Sequence, residues 1–287
     1  MTTGLTCYRH PNRETGVSCA HCGRGLCPDC MVFTPVGIKC AEHAGVPTGA
    51  ARAVQRARQF GLGGEGALLT KILIGVNVLV FLWQVGSGGT LTQPVGYPYV
   101  HGALQGYAVA DGEWWRLFTS MFLHASVVHL GLNMLFLWWI GAPVEQALGR
   151  ARYALVYLVS GLAGSTGALL LTNPGRDTVG ASGALFGILG AAFVFERQHN
   201  YVLGGSALTI IVLNLAFTFF GGFAGSISIG GHLGGLVAGA LSALALSRLG
   251  RAHATYGNPG VAGIAGVVAV GIASVAIAYW SVADLLG

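Results

Sequence analysis

Charged side chains are scarce in this sequence. They make up 9% of the 287 residues, whereas a soluble globular domain has about 25%. Hydrophobic residues make up 53%, and the mean hydropathy is +0.65. This composition excludes an ordinary soluble enzyme and predicts a membrane protein with several spans.

The sequence also lacks any dense block of basic residues. The formal net charge is +5, but the basic residues are scattered between hydrophobic stretches instead of gathered on one face. A scattered pattern is typical of membrane orientation. We therefore expect the lipid bilayer, and no nucleic acid, as a partner.

No cysteine occurs after Cys40, and all six cysteines lie within the first 40 residues. With two histidines they form four pairs, and in each pair two residues separate the two members: Cys7 and His10, Cys19 and Cys22, Cys27 and Cys30, Cys40 and His43. A tight turn of this spacing presents two ligands to one tetrahedral Zn²⁺, and eight ligands suffice for two closed structural sites. Disulfides are the alternative, but the histidines and the lack of a signal-peptide pattern favour metal.

The segment 1–45 resembles a B-box-type zinc finger. That resemblance implies a cross-braced arrangement, with one ion held by Cys7, His10, Cys27 and Cys30 and the other by Cys19, Cys22, Cys40 and His43. Two structural Zn²⁺ ions would then fold the module and catalyse nothing. A cytoplasmic protein is the expected partner of this module, and the Arg-containing segment 46–66 is expected to be a linker.

Seven apolar runs follow, each about long enough to cross a bilayer. They cover 68–87, 126–145, 152–171, 182–196, 203–221, 229–247 and 260–281. The predicted fold class is all-α, a polytopic membrane helix bundle with a small zinc-binding module at its N-terminus.

Arginine and lysine predict the orientation, because they remain on the cytoplasmic side. With a cytoplasmic N-terminus, nine basic residues flank the inner ends of the spans: Arg52, Arg56, Arg58, Lys71, Arg150, Arg152, Arg197, Arg248 and Arg251. The outer loops then hold only Arg116 and Arg176. We expect an integral protein of a bacterial cell membrane, with the zinc module inside the cell and the C-terminus outside.

The rest of the chain is organised around a serine and a histidine in apolar runs. Ser182 lies in GASGALFG (180–187), and His232 lies in GHLGG (231–235). In the predicted orientation both lie in the outer part of the membrane, at the level of His129 and Asn133. A lone serine in such a run usually bonds its own helix backbone, but four polar groups at one depth indicate a functional site with a nucleophile, a base and two donors.

Glycines support a close approach of the two helices. Gly231, Gly235 and Gly239 recur every four residues in one run, and Gly183 and Gly187 do so in the other. Such faces let helix backbones pack closely. Lipid packing alone explains glycines, but it does not explain a histidine beside them at the depth of a serine.

Five motifs in this order resemble the rhomboid intramembrane serine proteases. They are Trp115-Arg116, HLGLN at 129–133, Gly141-x3-Glu145-x3-Gly149, GASG at 180–183 and GHLGG at 231–235. The GxSG motif alone is weak, because soluble hydrolases share it. The resemblance implies a six-helix core over 67–250 and an extra C-terminal transmembrane helix over 258–287.

The resemblance also implies roles for the residues of the site. Ser182 would be the nucleophile and His232 its general base, while His129 and Asn133 would hold the oxyanion. Phe186 would pack against the imidazole of His232. The glycines that would support the site are Gly180, Gly183 and Gly235.

No acidic residue lies in the outer half of any predicted span, which favours a Ser-His dyad. Glu145 is expected to tie helix ends to the Arg150 region, and His124 to be structural or water-binding. The segment 88–125 has the aromatic content of an interfacial element. Three phenylalanines of span five form either a lateral gate or lipid-facing bulk: Phe217, Phe219 and Phe220.

The predicted function is that of an endopeptidase which cleaves the transmembrane segments of other membrane proteins near the outer face. A catalytically silent rhomboid-like protein that binds membrane clients is the first alternative, although the intact Ser182 and His232 argue against it. A transporter or channel is the second. Transporters bind near mid-depth between repeats, whereas this polar cluster is asymmetric and no repeat relates the two halves.

Overall fold

The computed structural model describes residues 5–34, 37–43, 67–198, 202–220, 228–249 and 260–285. The chain divides into two compact units, one up to Gly63 and one from Gly64 onward. The whole of the predicted linker 46–66 falls outside the described residues.

The N-terminal unit contains two short antiparallel hairpins. One pairs β1 (Leu5–Thr6) with β2 (Glu14–Thr15), and the other pairs β3 (Val32–Thr34) with β4 (Gly37–Lys39). Its buried core consists of Leu26 and five cysteines: Cys7, Cys19, Cys27, Cys30 and Cys40. A core this small needs metal or cross-links for stability. The expected all-α class therefore describes the second unit, not this one.

The second unit is helical, and seven of its ten described helices correspond to the seven predicted apolar runs. The helices are α1 (Leu68–Gly86), α2 (Tyr97–Gly102), α3 (Gly106–Ala110), α4 (Arg116–Thr119), α5 (Val127–Leu148), α6 (Arg150–Leu171), α7 (Ser182–Arg197), α8 (Ala207–Phe220), α9 (Ile229–Leu244) and α10 (Val261–Val282). The middle of α5 is π-helical over Leu137–Gly141, and α9 continues as a π-helical turn over Ala245–Leu249.

Five helical segments in the described part of the chain are long and apolar enough to cross a membrane. They are Leu68–Gly86, Val127–Leu148, Arg150–Leu171, Ile229–Ser247 and Val261–Leu285. The other two predicted spans correspond to α7, with 16 residues, and α8, with 14. Sixteen helical residues are about 24 Å long, which is shorter than a bilayer core of about 30 Å. The total of seven spans therefore remains a prediction.

Helices α6, α7 and α9 form the centre of the unit. Most of α7 is buried, including every residue from Ala184 to Ala192, and α6 is buried from Ala163 to Ala168. Most of these residues are small, so the helix axes can come close. The C-terminal helix α10 packs on α6, where the Thr166 hydroxyl donates to the Ser274 carbonyl at 2.8 Å.

A buried carboxylate joins α5 to the start of α1. Glu145, 1% exposed, accepts hydrogen bonds from the Leu69 amide at 3.0 Å, the Thr70 amide at 2.7 Å and the Thr70 hydroxyl at 2.8 Å. The first amides of a helix have no partner within the helix, and their dipoles favour a negative charge. The structural role expected for Glu145 is therefore confirmed, but its partner is the N-terminus of α1 and not the Arg150 region.

Three short helices, α2 to α4, lie in the long connection between α1 and α5. The Arg116 guanidinium holds them together, since it donates to the carbonyls of Val100 at 3.0 Å and Ala103 at 2.6 Å and pairs with Glu113. The Trp115 indole donates to the His101 carbonyl at 3.0 Å. The Trp-Arg motif thus fixes the fold of this connection, whose exposed aromatic residues fit an interfacial element.

The cap on α1 gives a first prediction. Glu145→Ala removes the acceptor of three hydrogen bonds and leaves buried donors unpaired. The free energy of unfolding should therefore fall by about 2–4 kcal/mol. Glu145→Gln keeps one acceptor oxygen and should lose less. Unfolding in mixed detergent micelles, followed by circular dichroism, measures both variants. Wild-type stability of Glu145→Ala would contradict the role of this carboxylate.

Candidate active site

Ser182 is the first residue of α7 and is half-buried. The chain reaches it through Gly180, whose φ of +128° is a conformation that residues with a Cβ rarely adopt. The Gly180 amide donates to the Ser120 carbonyl at 2.9 Å, and Thr178 exchanges two backbone hydrogen bonds with Leu104. These contacts hold the segment before the serine against the α2–α4 connection.

Glycines bring α7 and α9 into direct backbone contact. A Cβ on Gly235 would overlap the Gly183 carbonyl, and one on Gly239 would overlap the Gly187 carbonyl. A Cβ on Gly183 would lie 3.3 Å from the Gly231 carbonyl oxygen. The close packing that the sequence predicts for the two glycine faces is confirmed. Because Ser182 and His232 are next in sequence to Gly183 and Gly231, this contact also brings these two residues close to each other.

His232 lies in the first turn of α9 and is buried. Its ring stacks on that of Phe186, with centroids 4.1 Å apart and an interplanar angle of 17°. This is the contact that the resemblance implies for Phe186. The Nδ1 atom of His232 lies 2.8 Å from the hydroxyl oxygen of Thr218 on α8. The imidazole is thus held on one face and at one edge.

Within the described residues, no hydrogen bond joins the Ser182 hydroxyl to His232. The structure brings the two residues onto adjoining turns of contacting helices, without closing the hydrogen bond between them. Catalytic hydrogen bonds in free enzymes are often long and shorten when substrate binds.

His129 and Asn133 lie one turn apart on α5 and face the segment that precedes Ser182. A Cβ on Gly180 would lie 2.9 Å from the His129 Nε2 and 3.7 Å from the Asn133 Nδ2. Asn133 is 6% exposed, and its Nδ2 has no hydrogen-bond partner among the described residues. The Ala125 amide lies 3.5 Å from the His129 Nδ1 and donates to it, which leaves the proton on Nε2. Two unused N–H donors therefore lie beside Gly180.

The other candidate residues of this region have different surroundings. His124 is fully buried, and its ring lies edge-on to that of His129 with centroids 5.2 Å apart. Phe217 and Phe219 are exposed on α8, which fits both a gate and lipid-facing bulk. Thr218 is not among the residues predicted from sequence. A threonine in an apolar helix usually bonds the carbonyl four residues before it, so the sequence carries no signal that marks Thr218.

The N-terminal unit holds two clusters of four side chains that could bind metal ions. The members of each are those that the B-box resemblance implies: Cys7, His10, Cys27 and Cys30 in one, and Cys19, Cys22, Cys40 and His43 in the other. None of the six cysteines forms a disulfide. His21 and Asp29 belong to neither cluster, because His21 packs against the His43 ring and Asp29 pairs with Arg13.

The geometry of both clusters fits a tetrahedral ion. Sulfur ligands about 2.3 Å from zinc lie about 3.7 Å from one another. The His10 Nδ1 lies 3.3 Å from the Cys27 sulfur and 3.4 Å from that of Cys30, and the Cys22 and Cys40 sulfurs are 3.9 Å apart. Burial raises the pKa of the Cys7 thiol, but hydrogen bonds led by the Cys27 amide outweigh it and lower that pKa to about 5. Burial raises the pKa of the Cys30 thiol in the same cluster to about 11, so this cysteine would lose its proton on binding the ion. Thiolates are the form that binds metal.

Comparison with known proteins identifies the helical unit. A family model described as Rhomboid domain matches residues 111–249, which include Ser182 and His232. The putative rhomboid protease YdcA of Bacillus subtilis is 38% identical over 134 residues, which are 46% of this chain and 67% of YdcA. The chain belongs to the rhomboid family.

Two further rhomboid relatives align with this chain over more residues. The rhomboid protease GluP of Bacillus subtilis is 37% identical over 183 residues, 62% of this chain but only 34% of GluP. The rhomboid protease AarA of Providencia stuartii is 26% identical over 216 residues, 65% of this chain and 74% of AarA. The chain thus spans about a third of GluP. The N-terminal unit lies outside the part that the rhomboid family model matches.

The glycine contact gives a second prediction. Gly235→Ala places a methyl group against the Gly183 backbone, which cannot move aside as a side chain could, so overpacking should cost about 1–3 kcal/mol. The control is Gly75→Ala on α1, where nothing lies within 4 Å and alanine favours the helix. Thermal melting in detergent compares the two. Equal melting temperatures would show that α7 and α9 are not in backbone contact.

Proposed function

We propose that this rhomboid is an intramembrane serine endopeptidase. The observation that carries the proposal is the convergence of three helices on Ser182. Helix α9 supplies an imidazole that is stacked on Phe186, one turn below Ser182, and α5 supplies two unused donors beside Gly180. A nucleophile, a base and oxyanion donors are the parts that acyl transfer requires.

In the proposed mechanism His232 acts on Ser182 as general base. Its Nε2 takes the hydroxyl proton while the Ser182 Oγ attacks the scissile carbonyl, and the resulting imidazolium then gives the proton to the leaving amine. Water, activated by the same imidazole, later releases the acyl group from the serine. Phe186 and Thr218 keep the ring in one place through these steps.

The negative charge that develops on the scissile oxygen needs donors that are already aimed at it. We assign the His129 Nε2–H, the Asn133 amide and the Ser182 backbone N–H to this role. All three would act without reorganisation, which is the source of such stabilisation. Gly180 is needed for this arrangement of donors, because a side chain at that position would collide with His129.

The substrate class follows from where the site lies. Ser182 begins a helix that is shorter than the bilayer core is thick, and the chain that would complete the crossing before it is non-helical. Irregular backbone at membrane depth is tolerated where it lines a water-filled cavity or is buried in protein. We propose that the serine lies below the outer surface of the membrane and cleaves transmembrane segments of other proteins there. The N-terminus would be cytoplasmic and the C-terminus outside.

A catalytically silent rhomboid that only binds membrane clients is the other candidate function. Such a protein has no need of an imidazole held by Phe186 on the turn beside a serine, or of an amide donor without a partner. The presence of the imidazole and of the unpaired donor in one site favours the enzymatic function.

We further propose that the N-terminal clusters bind two structural Zn²⁺ ions, one in each cross-braced set. All four positions of each ion would be filled by the protein, so the metals would hold the small core together and take no part in catalysis. The surface of the module would then be available to a cytoplasmic protein partner.

Mutation of the dyad tests the enzyme directly. Ser182→Ala removes the nucleophile and His232→Ala the base. Because the two act as a unit, each change should lower turnover by about 10⁶-fold, below detection, with the double mutant no worse. Cleavage of a fluorogenic transmembrane peptide in detergent measures it, with thermal melting as the control for folding. Wild-type turnover by Ser182→Ala would refute the protease mechanism.

The oxyanion donors should behave differently. Asn133→Ala deletes one of three donors, and loss of an essential donor costs about 10²- to 10³-fold. The loss should be smaller here, so that residual cleavage is measurable. Asn173→Ala, in an exposed loop, is the matched control. A wild-type rate for Asn133→Ala would remove this residue from the oxyanion hole and leave the dyad intact.

The metal proposal predicts two zinc ions in each purified chain. Elemental analysis should find this ratio, and Cys40→Ser should lose one ion because it removes a ligand from one cluster only. Deletion of residues 1–45 should remove both ions and leave peptide cleavage unchanged. Less than one zinc per chain, or disulfides found by mass spectrometry, would overturn the assignment.

A further inference from the structure

We propose that Thr218 is the positioning residue of the dyad, and that its hydroxyl fixes the tautomer of His232 with the basic Nε2 free. Two short contacts of the Thr218 hydroxyl support this proposal. The Thr218 Oγ1 lies 2.8 Å from the Asn214 carbonyl oxygen and 2.8 Å from the His232 Nδ1. The proposal rests on the function proposed above for Ser182 and His232.

Only one arrangement of protons satisfies both contacts. The Asn214 carbonyl can only accept, so the single hydroxyl proton of Thr218 must point to it. The Thr218 oxygen then has only lone pairs left for His232. A lone pair on Nδ1 would face them in repulsion, whereas an Nδ1–H donates to them. The hydrogen of the neutral imidazole is therefore on Nδ1, and Nε2 carries the lone pair.

This tautomer is the one that a general base for Ser182 requires. In serine hydrolases with a triad, a buried acidic residue accepts from the second nitrogen and so sets the tautomer and the ring orientation. No acidic residue was predicted near His232, and Thr218 occupies the corresponding place. A hydroxyl accepts the same hydrogen without the cost of burying a charge in a membrane.

The surroundings of Thr218 show that the contact is specific. Thr218 is 5% exposed, whereas its neighbours Phe217 and Phe219 are 60% and 52% exposed. Helix α8 therefore turns one polar side chain inward at this level, toward His232. A threonine that only bonded its own helix would not need to be directed at an imidazole on another helix. Helix α8 thus becomes part of the catalytic site, because its position determines the orientation of the base.

Three variants separate this role from a structural one. Thr218→Val keeps the shape but removes the acceptor, and we expect kcat to fall by about 10- to 100-fold with KM nearly unchanged. Thr218→Ser keeps the hydroxyl and should retain most of the rate. Thr209→Val is the control, an exposed threonine on the same helix. A wild-type kcat in Thr218→Val, or a loss shared by Thr218→Ser and Thr209→Val, would overturn the proposal.

A second measurement does not depend on activity. Nitrogen NMR of ¹⁵N-histidine-labelled protein distinguishes a protonated from an unprotonated ring nitrogen, and His232→Gln identifies the signals. We expect Nδ1–H in the wild type and a loss of that preference in Thr218→Val. An Nε2–H tautomer in the wild type would overturn the proposal. An inactive wild type with the Nδ1–H tautomer would instead contradict the enzymatic function and leave the Thr218 contact established.

Discussion

Backbone contact between helices is the constraint on which this structure depends. Gly183 and Gly187 on α7 meet Gly235 and Gly239 on α9, and Gly164 on α6 lies against Gly183. In lipid there is little hydrophobic drive to hold helices together, so close packing must do it. The same contact that stabilises the bundle brings Ser182 and His232 onto adjoining turns. Stability and the proposed chemistry therefore share one set of glycines.

Two buried charged side chains of the bundle find hydrogen-bond partners on the backbone. Glu145 is buried, yet it is satisfied by the unpaired amides at the start of α1. Arg116 is buried and is satisfied by carbonyls of the α2–α4 connection. Asn133 is one of several buried side chains, His124 and Tyr157 among them, with a polar atom that has no partner in the described part of the chain. An unpaired donor is costly, and a transition-state oxyanion gives it a reason to be there.

The sequence predicts the parts of the site that follow from spacing. Glycines four residues apart predict the α7–α9 contact, while the ring of Phe186 stacked on His232 is what the rhomboid resemblance implies. Side chains that join different elements are harder. The partner of Glu145 lies 75 residues away along the chain, and spacing carries no information about it. Thr218 was missed because a threonine in an apolar helix usually bonds the carbonyl four residues before it, and only the fold shows the imidazole on its other side.

The central claim is that Ser182 is a nucleophile activated by His232. Reaction of the intact protein in detergent with a fluorophosphonate probe, followed by mass spectrometry of the peptides, tests it most directly. The account predicts one phosphonylated residue, Ser182, and no labelling when His232 is replaced by alanine in a folded protein. Absence of labelling at Ser182 in the active wild type, or equal labelling without His232, would contradict it.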